Sequence, residues 1–283
     1  MDRQILITGS NGQLGRALVS KYPEAQSLDS NSLDITNSQQ VLTYPWENVS
    51  VIVNAAAYTN VDTAETSEGR TLAWQVNAVG TANLTRTAIT HDIPLIHIST
   101  DYVFDGTNNI YKEDAPLCPL GVYGQSKAAG DIAALIHTKS YLIRTSWVIG
   151  DGNNFVRTML SLANKGINPT VVADQFGRPT FAEEIANAID FLLTNKAPFG
   201  IYNVSNDGPK VNWADFARTI FAQSGNDINV TNTTTIEYFA SKENIAPRPL
   251  NSTFDLNKIK SLGYQPKDWR ESLKDYLKME ANQ

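Results

Sequence analysis

The chain of 283 residues carries 23 basic and 29 acidic side chains, a net charge of −6, and 42% of it is apolar. That length supports one large domain or two modest ones, the apolar share sustains a packed core, and the acidic balance argues against nucleic acid or an anionic membrane as the main partner. A single cysteine, Cys118, excludes an internal disulfide framework or thiolate metal site, and the three histidines, His91, His97 and His137, show no ligand-like spacing.

In chain order, "QILITG" reads as a strand and "GQLGRALVSKY" as the helix after it. "AQSLD" is a second strand, and "TNSQQVLTY" a helix with Thr36 or Asn37 as its N-cap. "VSVIVNAAA" is a buried strand, and "ETSEGRTLAWQVNAVGTANLTRTAITH" one long helix. "IPLIHIST" is a strand, "YGQSKAAGDIAALIH" a helix and "SYLIRTSWVIG" a strand. After Gly150 the spacing predicts helices over Asn154–Ala163, Ala182–Leu193, Trp213–Gln223 and Asp268–Met279, joined by segments rich in Pro, Gly and Asn. Strands alternating with helices predict an α/β fold, a Rossmann-type doubly wound parallel sheet over residues 1–150. Residues 151–283 are expected to form a smaller C-terminal substrate-binding lobe, with some segments returning to the first domain.

No apolar run is long enough to span a bilayer and no apolar leader precedes the first strand, so a reducing cytoplasm is the expected location. The absence of G-x-S-x-G, H-E-x-x-H and P-loop lysine motifs sets serine-hydrolase, zinc-hydrolase and P-loop chemistry aside.

"ILITGSNGQLGRAL" puts Gly9, Gly12 and Gly15 between the first strand and its helix, with Asn11, Gln13 and Leu14 in the same loop. The glycines allow a tight turn, close approach of a pyrophosphate to the backbone, and close packing of helix on strand; the helix N-terminus adds N–H groups and positive dipole. Asp29 ends the second strand, where a carboxylate accepts from ribose hydroxyls and repels a 2′-phosphate. It favours NADH without excluding NADPH, although "DSNS" also reads as a plain surface turn. Asp34 and Ile35, and then Ala55, Ala57, Tyr58 and Thr59, follow at the next two strand ends. Asp34 is placed to face an adenine amine and the small alanines to leave a cofactor room, but turn and packing roles explain these residues as well.

"LIHISTDYVFDG" drives an apolar strand outward and ends it in Ser99, Thr100 and Asp101, at the edge where parallel sheets build their sites. "YGQSK" then sets Tyr123 and Lys127 four residues apart on one helical face. A phenol titrates near pH 10, and a shift of roughly three units needs about 4 kcal/mol. One ammonium about 4 Å away supplies about that much at an effective dielectric near 20, before desolvation is subtracted. The spacing is common by chance; behind a glycine loop and Thr100 it becomes specific.

T-G-x-x-G-x-x-G, Y-x-x-x-K and "VNAVGTANL" together resemble an extended short-chain dehydrogenase/reductase. Within that group "STDYVFDG", "YGQSKAAGD", "RTSWV", "GNNFVRTML" and "VADQFGRPT" resemble the dTDP-4-dehydrorhamnose reductase family, over Ile5 to about Trp269. The resemblance implies an NADH- or NADPH-dependent reduction of the C4 ketone of dTDP-4-dehydro-L-rhamnose, for cell-surface polysaccharide synthesis. It implies Thr100 as the catalytic hydroxyl, Tyr123 as the acid and Lys127 as the holder of the nicotinamide ribose. On the substrate side it implies Asp101, Trp147, Asn154 and Arg248. Gly12, Gln13 and Leu14 match the diphosphate loop, and Ala57, Tyr58 and Thr59 a second cofactor segment.

Some members of that family are magnesium-bridged dimers using a carboxylate on the first helix. Here that helix offers Arg16 and Ala17, although Glu183 remains in a later one, so no metal is expected and the chain is a monomer or a homodimer. A nucleotide-sugar dehydratase would follow the threonine with Asp-Glu, whereas Tyr102 follows Asp101 here. An epimerase would lack "STDYVF". The regulatory subunit of methionine adenosyltransferase, a binding module with the same tyrosine and lysine, is the rival from another class.

Overall fold

The computed structural model describes residues 4–282. Its centre is a six-stranded, wholly parallel sheet. The strands are β1 (Gln4–Thr8), β2 (Gln26–Leu28), β3 (Val49–Asn54), β4 (Leu95–Thr100), β5 (Ser140–Thr145) and, after four short strands, β10 (Gly200–Asn203). The order across the sheet is β10-β5-β4-β3-β1-β2, so the winding direction reverses between β1 and β3. Ligands of doubly wound sheets bind beyond the strand carboxyl ends at such a reversal.

Both sheet faces are buried, which is why the strands read as continuous apolar runs rather than alternating ones. Successive side chains still part to opposite faces. Ile7, Val53, Ile96 and Ile143 meet α1 (Gln13–Lys21) and α7 (Ala182–Thr194) in one core. Their neighbours Leu6, Ile52, Leu95 and Leu142 meet α2 (Ser38–Thr43), α4 (Thr81–Thr90) and Ala134 of α5 (Val122–Leu135) in another. Asn37 caps α2, its side chain accepting from Gln39 N and Gln40 N.

A further core gathers α6 (Phe155–Asn164), α8 (Trp213–Ser224) and α11 (Trp269–Ala281) around Phe216, Phe221 and Leu273. Three two-stranded ribbons accompany it: β6 (Val148–Ile149) with β9 (Thr180–Phe181), β7 (Thr170–Val172) with β12 (Thr231–Thr233), and β8 (Phe176–Gly177) with β11 (Val211–Asn212). α9 (Thr235–Phe239) and α10 (Asn257–Ser261) complete the elements. The chain crosses between the cores more than once: α7, β10, Phe254 and Ile259 of α10 all pack with the large sheet.

Two segments differ from their sequence reading. The strand expected through Gly150 stops at Thr145, because Trp147 adopts a left-handed backbone with φ +50°, and Val148 restarts it against β9. The long helix divides into α3 (Ser67–Trp74), a π-helical segment Gln75–Gly80 and α4. π-helical turns inside helices are frequent at functional sites, and this one carries Asn77. Among the described residues no helix is long and apolar enough to cross a membrane.

Candidate active site

The glycine loop closes tightly on itself. Gly9 has φ +69°, a conformation that glycine adopts without steric cost. A Cβ on Gly15 would stand 2.1 Å from the Gly9 carbonyl oxygen, so α1 reaches the loop only because that side chain is missing. Gly12, the N-cap of α1, offers no side-chain acceptor, and the first turn holds no acidic residue. Uncapped N–H groups and an unopposed dipole suit a diphosphate. Gln13 points elsewhere with its side chain, accepting from Gly150 N at 2.9 Å.

The carboxylate of Asp29 is engaged in its own turn. Oδ1 accepts from Asn31 N, Ser32 N and Ser32 Oγ, and Oδ2 from Asn11 Nδ2 at 3.0 Å. Hydrogen bonds from Ser32 head the causes that hold its pKa below the usual carboxylate range. Asp34 likewise accepts from the Thr36 backbone and hydroxyl. Ile35 turns inward, buried in the second core with its carbonyl accepting from Asn83. Leu33 and Ile35 alternate into that core.

Segment 55–59 is fixed from outside. Asn77 accepts from Tyr58 N at 2.9 Å and donates to Tyr58 O at 3.1 Å. The same amide donates to Ser126 Oγ at 3.0 Å, and Ser126 donates to the Tyr123 carbonyl. One fully buried asparagine thus ties the second glycine-adjacent segment, with Ala55, Ala57 and Thr59, to the helix bearing Tyr123.

α5 starts where Glu65 accepts from Val122 N at 2.9 Å, replacing the cap that Gly121 lacks. Tyr123 is 8% exposed and Lys127 2%. The Lys127 ammonium donates to the Ile98 carbonyl at 2.5 Å. Burial lowers its pKa to about 8, with Asp131 pulling the other way. Burial raises the Tyr123 phenol well above its ordinary value, which contact with Thr100 opposes. The pull of one ammonium was reckoned before desolvation, and in this arrangement desolvation is the larger effect on the phenol. Desolvation wins because Lys127 is turned to a backbone carbonyl and is itself dry.

Thr100 closes β4 and donates to Asp101 Oδ1 at 3.0 Å. Ser252 donates to Asp101 Oδ2. Asp101 is 3% exposed, and burial pushes its pKa up to about 6 against the pull of those hydroxyls. Tyr102 packs edge-on against Tyr123, ring centroids 5.3 Å apart.

The other residues expected on the substrate side each have partners of their own. Arg248 makes a two-pronged ion pair with Asp62, at 2.5 and 2.8 Å, and lies 4.8 Å over the Phe239 ring. Trp147 is half-buried and stacks on Trp213, with centroids 3.6 Å apart and planes within 10°. Gly177 packs against the same indole, since a Cβ there would lie 2.8 Å from Cε2. Asn154 caps α6 through Oδ1, while Nδ2 donates to Gly150 O, Gly152 O and Tyr276 Oη. Its amide thus serves both the loop and the helix cap.

Arg16 pairs with Asp151 at 2.9 Å and donates to the Asn11 and Asp151 carbonyls. Among the described residues no cluster of three or more His, Cys, Asp or Glu could hold a metal ion. A cavity of about 660 Å³ opens between α1, α7 and α11, touching the glycine loop at Gln13 but neither Tyr123 nor Lys127. Side-chain chemistry, not cavity size, therefore locates the candidate centre.

Sequence reasoning passed over Asn77, Glu65, Asp131, Trp213 and Ser252. Asp131 had a usable signal, its four-residue spacing from Lys127. Ser252 had none, lying 151 residues from the carboxylate it meets.

Residues 3–282 match the family model described as the RmlD substrate binding domain. The chain is 40% identical to a dTDP-4-dehydrorhamnose reductase of Aggregatibacter actinomycetemcomitans, over 96% of this chain and 97% of that one. It is 37% identical to the spore coat polysaccharide biosynthesis protein SpsK of Bacillus subtilis, over 97% and 96%. The solved dTDP-4-dehydrorhamnose reductase of Bacillus anthracis, in complex with NADP, superposes with a TM-score of 0.90 at 37% identity, over 99% of this chain and all of that one.

Proposed function

Since the chain belongs to the family of the RmlD substrate binding domain, we propose that it is the enzyme its relatives are named for. It reduces the C4 ketone of dTDP-4-dehydro-L-rhamnose to dTDP-L-rhamnose, using NADH or NADPH, in the supply of a polysaccharide precursor. The observation that carries the reading is the burial of Tyr123 and Lys127 one helical turn apart, beside Thr100 at the carboxyl end of β4.

The loop Gly9, Asn11, Gly12, Gln13, Leu14 and Gly15 fits a diphosphate through its uncapped backbone, with Asp29 and Tyr58 flanking it. When bound, the reduced nicotinamide supplies a hydride to the ketone carbon. Tyr123 holds the proton at Oη, where burial keeps the phenol neutral, and passes it to the C4 oxygen as that oxygen becomes an alkoxide. The Thr100 hydroxyl steadies the same oxygen. Lys127, still largely protonated near neutral pH with a pKa of about 8, favours the phenolate left behind and donates to the ribose. Asp101, Trp147 and Arg248 hold the sugar nucleotide. A reducing cytoplasm suits the single cysteine, and the active unit is a monomer or a homodimer.

Purified protein given dTDP-4-dehydro-L-rhamnose with NADH or NADPH should oxidise the nicotinamide and form dTDP-L-rhamnose in equal amounts. Saturable cofactor binding with no turnover would make it a regulatory binding protein instead.

A further inference from the structure

α5 carries a third ionisable group on the face of Tyr123 and Lys127: Asp131, one turn further on. Its side chain is 0% exposed. Ser99 Oγ donates to Oδ2 at 2.8 Å. Arg144 on β5 brings Nε to 3.6 Å of the same oxygen, and His97 on β4 brings Nε2 to 3.7 Å of Oδ1. Asp131 Oδ1, Arg144 Nε and His97 Nε2 are all buried without a hydrogen-bond partner. Buried polar atoms left so are costly and call for an explanation.

His97 is not the counter-charge. Asn54 Oδ1 accepts from Ala56 N, which turns Nδ2 toward His97 Nδ1 at 3.2 Å. Nδ1 accepts, so the ring proton sits on Nε2. Burial, then the charge of Lys127, press the ring's pKa well below the ordinary histidine range, and it stays neutral. Arg144 is a cation whose Nη1 donates to the Glu113 carbonyl at 2.9 Å. Asp131 is therefore a carboxylate one helical turn from Lys127 and 3.6 Å from the Arg144 guanidinium, burial raising its pKa to about 6 against the pull of Ser99, Lys127 and Arg144.

We propose that Asp131 is a positioning residue for the reduction, its carboxylate holding Lys127 in the charged form beside Tyr123. The proposal rests on the reading of Lys127 as part of the reaction. Other ionisable groups on the packed elements are Asp101 and Tyr102 in the turn after β4 and Glu65 at the start of α5. The segment Gln75–Gly80 contributes none, and Glu68, Arg70 and Arg86 of α3 and α4 are exposed. Among them Asp131 is the group that opposes the loss of the lysine proton to burial.

The test is the titration of Lys127 in the whole protein, read by NMR of ¹³C-labelled lysine side chains and assigned by the signal missing in Lys127→Met. Asp131→Asn should lower the midpoint by on the order of one pH unit, as loss of one nearby unit charge at moderate dielectric does. The alkaline limb of kcat, where Lys127 gives up its proton, should move to lower pH by the same amount. Asp131→Glu should restore both. Should the amide fail to fold, Asp131→Ser removes the same charge with less bulk and is held to the same result. A merely structural Asp131 would lower kcat and Tm at every pH and leave the midpoint in place, which overturns the proposal. A midpoint that moves while the kcat limb stays would instead overturn the role of Lys127, and with it Asp131's place in the reaction.

Discussion

In the proposed reduction Tyr123 acts through burial rather than acidity. Burial keeps the phenol neutral, so on that reading the proton is present when the ketone arrives. Tyr123→Phe keeps the ring and its edge contact with Tyr102 but removes the proton. kcat should fall by roughly a hundredfold or more while Tm and the circular dichroism spectrum hold; near-normal turnover would strip Tyr123 of its role. Asp29 poses a question of choice between donors. Its carboxylate is fixed by Ser32, Asn31 and Asn11, so it cannot swing away from an arriving 2′-phosphate. Asp29→Asn should raise kcat/KM for NADPH relative to NADH several-fold, because the repulsion goes and the turn stays. An unchanged ratio would leave Asp29 as a turn residue alone.

At the scale of elements, the strand–loop–helix unit at the N-terminus is the most legible part of the chain. A short apolar run, three spaced glycines and an amphipathic stretch could hardly be read otherwise. Its tolerance is narrow: the Gly15 Cβ position is also 2.7 Å from Ser10 Cα, and backbone cannot yield as a flexible side chain can. Gly15→Ala should cost about 1–3 kcal/mol, as overpacking does, and weaken dinucleotide binding. Thermal melting and a fluorescence titration with NADH check both, and wild-type values in each would mean that α1 can slide. Elsewhere legibility followed locality. β3, β4, β5 and the helices α6, α7, α8 and α11 showed in their own residues. β10 did not, since "GIYN" is too short to carry a period and becomes a strand only beside β5, about sixty residues earlier. The two-residue strands are made by pairing, not by propensity. Trp147 gave no sign of its left-handed backbone, because no local rule puts a tryptophan there. The π-helical turn was hidden because no local pattern marks it, and the clamp of its Asn77 on Tyr58 spans 19 residues. Within the site, the glycines, Thr100, Tyr123 and Lys127 stand out by spacing, whereas Asp131, though one turn from Lys127, shows its surroundings only when Arg144 and His97 are seen around it.

For the whole molecule, the question is whether the sheet and the smaller core share a sugar-binding surface. The left-handed turn at Trp147 takes the chain off β5, and its indole lies flat on Trp213, which begins α8. Trp213 in turn meets Phe155 at 4.6 Å and Phe216 at 6.3 Å, so Trp147 is the outermost ring of an aromatic series rooted in the smaller core. It is neither a free sugar platform nor a core side chain: one face is used for packing and the residue remains half-exposed. If Trp147 meets the sugar, its orientation depends on Trp213. Trp147→Ala and Trp213→Ala should then each raise KM for the sugar nucleotide several-fold and leave NADH affinity nearly unchanged. The double variant should be little worse than either single one, because a platform without its ring and a ring without its platform fail alike. Melting should show a coupling of about 0.5–1.5 kcal/mol for the lost stack. Independent, multiplying effects on KM would mean that the two indoles touch the substrate separately. A fall in Tm with unaltered sugar kinetics would make the stack a hinge between cores and remove Trp147 from the binding surface.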